Sequence, residues 1–222
     1  MGKNITACIA LNGRIEEELD FYRSELKDCE LLLAANGGSR LFKLLDRNMD
    51  LLIGDQDSLS EAEVDYWQER GAEIIKYPEA KDETDLELCL KHSAERGAAG
   101  IKILAALGGR IDQLLANIYQ LEYARKAGME AVILSPGLEI GLIQGAKLFQ
   151  ERKGCRLSLL ALDREVSGLK ITGCKYNVDD FRLKRHKSRG ISNIIKDDRA
   201  KIAAERGCLL YVLFTGAANN CQ

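Results

Sequence analysis

The first 135 residues alternate between short apolar, β-prone runs and longer segments with helical spacing. The predicted strands are 5–11, 30–35, 50–53, 73–77, 101–106 and 131–135, and the predicted helices between them are 15–26, 39–47, 61–70, 85–96 and 112–126. Strands that alternate with helices form a mainly parallel sheet, because each parallel pair needs a crossover connection that covers a face of the sheet. The pattern therefore predicts a Rossmann-like α/β domain over residues 1–135, with helices on both faces.

The helical period disappears after Pro136 and Gly137. The predicted strands that follow are 139–143, 157–162, 166–171, 201–204 and 209–215. Closely spaced strands without helices predict a smaller antiparallel β-sandwich domain over residues 136–222. A domain of this size buries a low fraction of its surface, so we expect it to pack on the first domain or on a second copy of itself.

The composition excludes several functional classes. The 222 residues carry 32 Lys and Arg against 34 Asp and Glu, without the basic surplus that is typical of nucleic-acid-binding domains. The apolar stretches are short and the first residues lack a secretory signal, so no membrane partner is expected. The 7 cysteines include no C-x-x-C pair, which favours free thiols in a reducing cytoplasm over disulfides or zinc.

Two glycine pairs follow predicted strands of the first domain. Ligands of parallel α/β sheets bind beyond the carboxyl ends of the strands. N-G-G-S at 36–39 follows the second strand, and G-G-R-I-D-Q at 108–113 follows the fifth. Paired glycines let the backbone approach a phosphate, and Arg110 has the fork geometry that binds phosphate oxygens. The alternative for the first loop is a tight turn with Ser39 as the N-cap of the next helix.

Acidic residues follow the third and fourth predicted strands. Asp55 and Asp57 are two apart in an extended segment, so both carboxylates face the same side, and two such oxygens suit Mg²⁺. The alternative is a solvated loop in which Asp57 or Ser58 caps the next helix. In K-D-E-T-D at 81–85, Asp82 and Asp85 are three apart and so lie on one side of the first helical turn, and the alternative is that Asp82 is an N-cap. A lysine at a helix start requires an anionic partner, which a phosphate would supply.

Together, these loops predict five aspartates converging on one sheet edge with a metal and a polyphosphate. The chain has no G-x-x-x-x-G-K-[ST], and no G-x-G-x-x-G follows the first strand. These absences argue against a P-loop site and against a dinucleotide oxidoreductase.

Five motifs occur in a fixed order between Ala35 and Asn193: A-N-G-G-S-R-L, G-D-Q-D-S, K-D-E-T-D, G-G-R-I-D-Q-L-L-A-N and S-R-G-I-S-N. In this combination the chain resembles the thiamine pyrophosphokinase family. The resemblance implies a homodimer with active sites at the subunit interface. It implies transfer of the pyrophosphoryl group of ATP to the hydroxyl of thiamine, with Mg²⁺ as cofactor and AMP as the second product. Residues 1–135 would be the ATP- and Mg-binding catalytic domain, and 136–222 the domain for thiamine binding and dimerisation.

The resemblance also implies a role for individual residues. The expected metal ligands are Asp55, Asp57 and Asp82, and the expected catalytic residues are these three with Asp85, Asp112 and Arg110. The expected ATP-binding residues are Asn36, Gly37, Gly38, Lys81, Thr84, Gly109, Arg110 and Gln113. The expected thiamine-binding residues are Tyr176, Ser188, Ser192 and Asn193, with Tyr176 as the aromatic platform. We hypothesise that Asp82 or Asp85 accepts the proton of the attacking hydroxyl.

Two positions depart from the family pattern. Asn36 stands where the family has A-D-G-G, and Gln113 stands where the family has D-H. Both changes keep hydrogen bonding but remove a charge or a titratable group. A thiamine-binding protein that has lost catalysis through these two changes therefore stays open. A related Mg-dependent kinase for another small alcohol also stays open, because the ATP loops are better specified than the acceptor pocket.

Overall fold

The computed structural model describes residues 5–55 and 59–216. The chain divides into two compact units, Met1–Ser135 and Pro136–Gln222. In the described part of the chain, none of the helices has the length and apolar character needed to cross a bilayer.

The first unit contains a parallel sheet with five helices in its described part. Its strands are β1 (Ile5–Ala10), β2 (Leu31–Ala35), β3 (Leu51–Gly54), β4 (Glu73–Lys76), β5 (Ala98–Leu104) and β6 (Glu130–Ser135). Its helices are α1 (Leu19–Lys27), α2 (Ser39–Leu44), α3 (Glu61–Glu69), α4 (Asp85–Glu95) and α5 (Ile111–Lys126). The strand order is β6-β5-β1-β2-β3-β4, and the paired strands run parallel.

Helices cover both faces of this sheet, as the sequence predicts. On one face, Cys8 of β1 and Leu32 of β2 share a buried cluster with Tyr22, Phe42 and Trp67 from α1, α2 and α3. Successive side chains of a strand point to opposite faces of the sheet. Ile9 and Leu33, which follow Cys8 and Leu32 and are fully buried, therefore face the helix layer on the opposite side. That layer contains α4, which contacts four of the strands and also α5.

The second unit is an antiparallel β-sandwich. Its strands are β7 (Leu138–Ile143), β8 (Ala146–Gln150), β9 (Arg156–Ala161), β10 (Glu165–Thr172), β11 (Val178–Lys184), β12 (Asn193–Ile194), β13 (Arg199–Ala203) and β14 (Leu209–Phe214). They pair in the orders β12-β9-β14-β7 and β11-β10-β13-β8. Leu157 and Tyr211 of the first set pack in one buried cluster with Val166 and Ile202 of the second.

Strands β8, β11 and β12 were not predicted from the sequence. Most side chains of β8 and β11 are exposed or half-exposed, and β12 has two residues. Edge and surface strands of this kind alternate charged with apolar residues, so they lack the apolar density that marks a buried strand.

Candidate active site

The reversal of strand order places a crevice between β1 and β5. The chain passes from β1 to β2 on one side, whereas β5 lies on the other side of β1. Ligands of open α/β sheets bind at such a switch point. The loops that follow the two strands are joined there, because the amides of Gly13 and Arg14 donate to the carbonyls of Ala105 (2.8 Å) and Leu107 (2.7 Å).

Asn36 joins two carboxylates at the same edge of the sheet. It begins a 3-10 turn after β2 with a φ of 46°, a left-handed conformation that Asn tolerates better than most residues. Its side-chain amide donates to Asp55 Oδ1 at 2.9 Å and to Asp85 Oδ2 at 2.6 Å. Asn36 is 8% exposed. One buried amide thus holds together acidic groups from two loops, and we call these three residues with Lys81 the Asn36 cluster.

Lys81 supplies the positive charge of this cluster. Its Nζ lies 2.9 Å from Asp85 Oδ1 and 4.0 Å from Asp55 Oδ2, and its side chain is 11% exposed. From the sequence, no anionic partner for this lysine could be assigned within the protein. In the structure the two carboxylates provide that partner, so a phosphate is not needed to explain its position.

The glycines of the first loop are required by close backbone packing. A Cβ on Gly38 would lie 2.0 Å from the carbonyl oxygen of Ala10, and a Cβ on Gly54 would lie 2.0 Å from Asn36 Oδ1. Gly54 also has a φ of 149°, which L-residues rarely adopt. The alternative that Ser39 caps the next helix is wrong, since Gly38 precedes α2 and Ser39 lies buried inside it.

The loop after β4 caps the next helix with a different residue from the one considered in the sequence. The N-cap of α4 is Thr84, whose side chain accepts a hydrogen bond from the Glu87 amide at 3.2 Å. Asp82 therefore does not cap the helix. It is exposed, and it makes no hydrogen bond or ion pair with any residue that the structure describes. Thr84, an expected ATP-binding residue, already uses its hydroxyl oxygen as the cap.

Arg110 and Asp112 form an exposed pair at the start of α5. Arg110 Nε donates to Asp112 Oδ1 at 3.1 Å, and Nη2 donates to Oδ2. The carboxylate also accepts from the Gln113 amide at 3.0 Å. The guanidinium first, and then this amide, hold the pKa of Asp112 below its ordinary value. The pair fixes an ionised carboxylate and a guanidinium in the loop after β5.

The expected convergence of five aspartates is therefore wrong in part. The structure brings together Asp55 and Asp85, whereas Asp112 pairs with Arg110 and Asp82 faces solvent. Asp112 pairs with Arg110 because this guanidinium has the opposite charge and is only two residues away, whereas the carboxylates of the Asn36 cluster have the same charge as Asp112. Asp57 lies outside the described residues, so its predicted place beside Asp55 stays a prediction.

The carboxylates at this edge suit a divalent cation that keeps most of its bound water. Among the described residues, no group of three His, Cys, Asp or Glu side chains is arranged to hold a metal ion. Mg²⁺, however, is usually bound through one or two carboxylates together with substrate phosphates and water. Asp55, which the Asn36 cluster holds just after β3, is a carboxylate of that kind, whereas both oxygens of Asp85 are already engaged by Asn36 and Lys81.

The second unit contains an apolar groove of about 440 Å³ beside Tyr176. Its apolar walls include Leu159 of β9, Ile171 of β10 and Phe181 of β11, with Ile191 from the loop before β12. The Tyr176 side chain is 59% exposed, and Lys175 Nζ lies 5.1 Å from the centre of its ring. An aromatic face over an apolar groove is suited to a flat heterocycle.

Asn193 is a backbone clamp rather than a free polar group. Its Oδ1 accepts from the amides of Tyr176 (3.0 Å) and Ile194 (2.9 Å), and its Nδ2 donates to the Tyr176 carbonyl at 2.8 Å. It is 7% exposed. Of the other expected thiamine-binding residues, Ser188 and Ser192 are exposed, and the Ser192 amide donates to Ser158 Oγ at 3.1 Å. The structure thus brings Asn193 to Tyr176.

Comparison with known proteins identifies the family. Residues 22–133 match the family model of the thiamin pyrophosphokinase catalytic domain, and residues 147–209 match that of the thiamin pyrophosphokinase vitamin B1 binding domain. The chain belongs to the thiamine pyrophosphokinase family. The family predicted from the five motifs is confirmed.

Individual thiamine pyrophosphokinases are distant in sequence. Thiamine pyrophosphokinase 1 of rice (Oryza sativa subsp. japonica) is 27% identical over 167 residues, which are 70% of this chain and 62% of the relative. The chain thus spans less than two thirds of that relative's length. Thiamine pyrophosphokinase of Bacillus subtilis is 25% identical over 165 residues, 73% of this chain and 77% of the relative.

Solved thiamine pyrophosphokinases share the fold. The Bacillus subtilis structure gives a TM-score of 0.83 at 22% identity, covering 95% of this chain and 99% of that chain. The yeast structure gives 0.80 at 19% identity, covering 96% and 87%. At these identities the likeness shows the fold, and it confirms the predicted parallel α/β sheet with a separate antiparallel sandwich.

One loop of this thiamine pyrophosphokinase fold was not predicted as part of the site. The predicted loops follow the second to fifth strands, whereas the switch point also includes Gly13 and Arg14 after β1. A Gly-Arg pair directly after the first strand was the available signal, and it resembles the Gly-Arg pair at 109–110.

Proposed function

We propose that the protein is a thiamine pyrophosphokinase. It transfers the pyrophosphoryl group of ATP to the hydroxyl of thiamine and releases thiamine diphosphate and AMP. The observation that carries this proposal is that one chain matches both the catalytic-domain model and the vitamin B1 binding-domain model. Residues 1–135 would bind ATP and Mg²⁺, and residues 136–222 would bind thiamine.

The loops of the first unit would hold the phosphates of ATP. Gly37 and Gly38 bring backbone close to the strand ends, and Gly109 with Arg110 follows β5. The Arg110 side chain is 72% exposed, so its guanidinium is accessible to a phosphate while Asp112 fixes its position. A guanidinium binds phosphate oxygens in pairs, which orients the group as well as neutralising it. Gln113, next to this pair, would add an amide contact.

We assign Mg²⁺ to Asp55 and Asp57. When bound, the ion would neutralise the negative charge that a triphosphate presents to an attacking alcohol. The chain's own contribution is to fix the carboxylates before substrate arrives. Asn36 and Lys81 hold Asp55 and Asp85 at set positions, so less reorganisation is needed during the reaction.

Asp82 is the better candidate of the two carboxylates considered as proton acceptors. Both oxygens of Asp85 are engaged, one by the Asn36 amide and one by Lys81. Asp82, in contrast, is exposed just ahead of α4. An acceptor must have a lone pair within reach of the hydroxyl. We therefore propose Asp82 for the proton and assign Asp85 to the Asn36 cluster.

The second unit would hold the vitamin. Tyr176 would stack on a ring of thiamine, and the exposed Ser188 and Ser192 would contact its polar groups. We further propose a cytoplasmic homodimer with active sites at the subunit interface. Supporting it, α5 begins at the Arg110 loop and exposes Ile111, Leu115 and Tyr119 at a spacing of four residues. A second copy would remove this apolar stripe from water.

The test is to incubate the purified protein with thiamine, ATP and Mg²⁺ and to separate the products by chromatography. The proposal predicts equal amounts of AMP and thiamine diphosphate. If the protein forms ADP with another alcohol and forms no thiamine diphosphate, it is a different kinase. Calorimetric binding of thiamine without any AMP would identify a binding protein that has lost catalysis.

A further inference from the structure

A hydrogen bond between Tyr77 and His92 connects the start of the loop after β4 to helix α4. Tyr77 directly follows β4, and His92 lies on α4, about two helical turns after its first residue. The Tyr77 hydroxyl oxygen lies 2.9 Å from His92 Nε2. The loop between β4 and α4 carries Lys81 and Asp82. One contact between side chains therefore closes the loop that carries both of these residues.

Tyr77 is also fixed through its backbone. Its amide donates to the Gly54 carbonyl at 2.9 Å, one residue beyond the last pair of β3 and β4. Gly54 directly precedes Asp55. The backbone of Tyr77 is thus bonded to the strand end that carries Asp55, and its side chain is bonded to the helix that begins with Asp85.

The ring of His92 is oriented from its other side. Nδ1 lies 3.1 Å from Glu95 Oε2 and 3.3 Å from Arg96 Nη1. Arg96 Nη2 donates to Glu73 Oε2 on β4 at 2.9 Å, and the His92 side chain is 13% exposed. An ionised carboxylate only accepts hydrogen bonds, so Nδ1 carries the proton that points to Glu95. Nε2 is then the nitrogen that accepts from the Tyr77 hydroxyl.

The first half of the loop has little other support. Residues 78–80 are exposed, and Pro78 has no amide to donate. The Lys81 amide donates to the Glu79 carbonyl at 3.0 Å, which is a bond within the loop itself. The position of this half relative to the sheet therefore depends on Tyr77.

We propose that Tyr77 and His92 are positioning residues for the reaction. Their hydrogen bond holds the loop after β4, so that Lys81 and Asp82 keep their places at the sheet edge. The inference rests on the proposed function, because that function assigns the reaction to this edge. A shift of about 1 Å caused far from the chemistry can lower a rate by about a hundredfold. Loss of the hydrogen bond should therefore lower kcat, although neither side chain touches a reacting atom.

The test is the steady-state rate of AMP formation from ATP and thiamine in Tyr77→Phe, His92→Leu and the double variant. Each single variant should lower kcat by at least about fivefold, with KM for thiamine unchanged. The double variant should lose no more than the weaker single variant, because both changes remove the same hydrogen bond. His92→Gln retains a polar group near the position of Nε2, so it should recover most of the lost rate.

Tyr66→Phe is the matched control. Tyr66 is a half-buried residue of α3 whose hydroxyl makes no hydrogen bond with any residue in 5–55 or 59–216. Its variant loses the same hydroxyl group as Tyr77→Phe and should keep the wild-type kcat.

Hydrogen–deuterium exchange separates this inference from the proposed function. In Tyr77→Phe, the peptide covering 77–88 should exchange at least about threefold faster than in wild type, and the peptide covering 165–172 should not change. A wild-type kcat, unchanged exchange of 77–88, or losses that multiply in the double variant would each overturn the positioning role. If the wild-type protein makes no thiamine diphosphate but exchange of 77–88 depends on the Tyr77 hydroxyl, the loop is positioned as inferred and the proposed function fails.

Discussion

The side-chain amide of Asn193 clamps the backbone of Tyr176, with Oδ1 accepting from its amide at 3.0 Å and Nδ2 donating to its carbonyl at 2.8 Å. Asn193, the last residue of the S-R-G-I-S-N motif, was expected to touch thiamine but instead fixes the segment that carries the aromatic platform. Asn193 is thus a positioning residue for the second unit's groove.

This clamp predicts a selective effect of Asn193→Leu. Loss of buried hydrogen bonds costs about 1–3 kcal/mol each, so the Tyr176 segment would lose its fixed position. We expect KM for thiamine to rise at least tenfold while KM for ATP stays unchanged. Asn193→Asp keeps the acceptor oxygen and should give a smaller effect in the same steady-state assay. An unchanged KM for thiamine in Asn193→Leu would refute the positioning role.

Asn36→Asp should make the protein's stability depend on divalent cations. The substitution replaces the amide donor between Asp55 and Asp85 with a third negative charge. Without divalent cations, we expect the free energy of unfolding to fall by about 1–3 kcal/mol. Mg²⁺ should restore part of this loss. Thermal melts with and without Mg²⁺ measure both effects. Asn48→Asp is the control, because the oxygen that accepts from Arg70 is retained. Equal Mg²⁺ responses in Asn36→Asp and wild type would contradict this account of the cluster.

Lys81→Met should destabilise the first unit and abolish most activity. The lysine is almost buried between two carboxylates, and its removal leaves their charges uncompensated. We expect the free energy of unfolding, from urea titration, to fall by about 2 kcal/mol. Lys126→Met removes an exposed ion pair with Glu122, so its cost should stay below about 0.5 kcal/mol. If the free energy of unfolding falls by a similar amount in both variants, Lys81 does not stabilise the fold more than an exposed lysine does.

Cys29 should react faster with iodoacetamide than Cys8, Cys89 or Cys174. The hydrogen bond from the Cys8 thiol first, and the nearby Lys102 charge, lower the pKa of Cys29. Burial raises the pKa of Cys8 and Cys89, and that of Cys174 to about 11. The thiolate is the nucleophile, so near pH 8 Cys29 has the largest reactive fraction of these four. Peptide mass spectrometry of partly alkylated protein ranks them, and slower labelling of Cys29 than of Cys174 would contradict the ranking.

The parallel core could be predicted from the sequence because its signal is local. Buried strands such as β2 and β3 are continuous apolar runs, and the helices between them carry the 3.6-residue period. Boundaries were less accurate. The predicted helix 15–26 begins only at Leu19, and the Glu16 amide ahead of it donates to the Tyr22 hydroxyl at 3.0 Å.

The candidate site could be predicted only as a set of loops. Strand ends indicate which loops share an edge, but not which side chains within them pair. Asn36 meets Asp85 across 49 positions of sequence, whereas Asp112 is taken by Arg110 two residues away. Which partner an aspartate takes depends on distances in the folded chain. The spacing of residues in the sequence does not reveal those distances.

The role of Asp55 is tested by the rate of AMP formation from ATP and thiamine in Asp55→Asn, compared with wild type and with Asp65→Asn on the exposed side of α3. We expect a loss of at least about a hundredfold in Asp55→Asn, a wild-type rate in Asp65→Asn, and cooperative melting in both. A wild-type rate of AMP formation in a folded Asp55→Asn variant would contradict the assignment of the Asn36 cluster to catalysis.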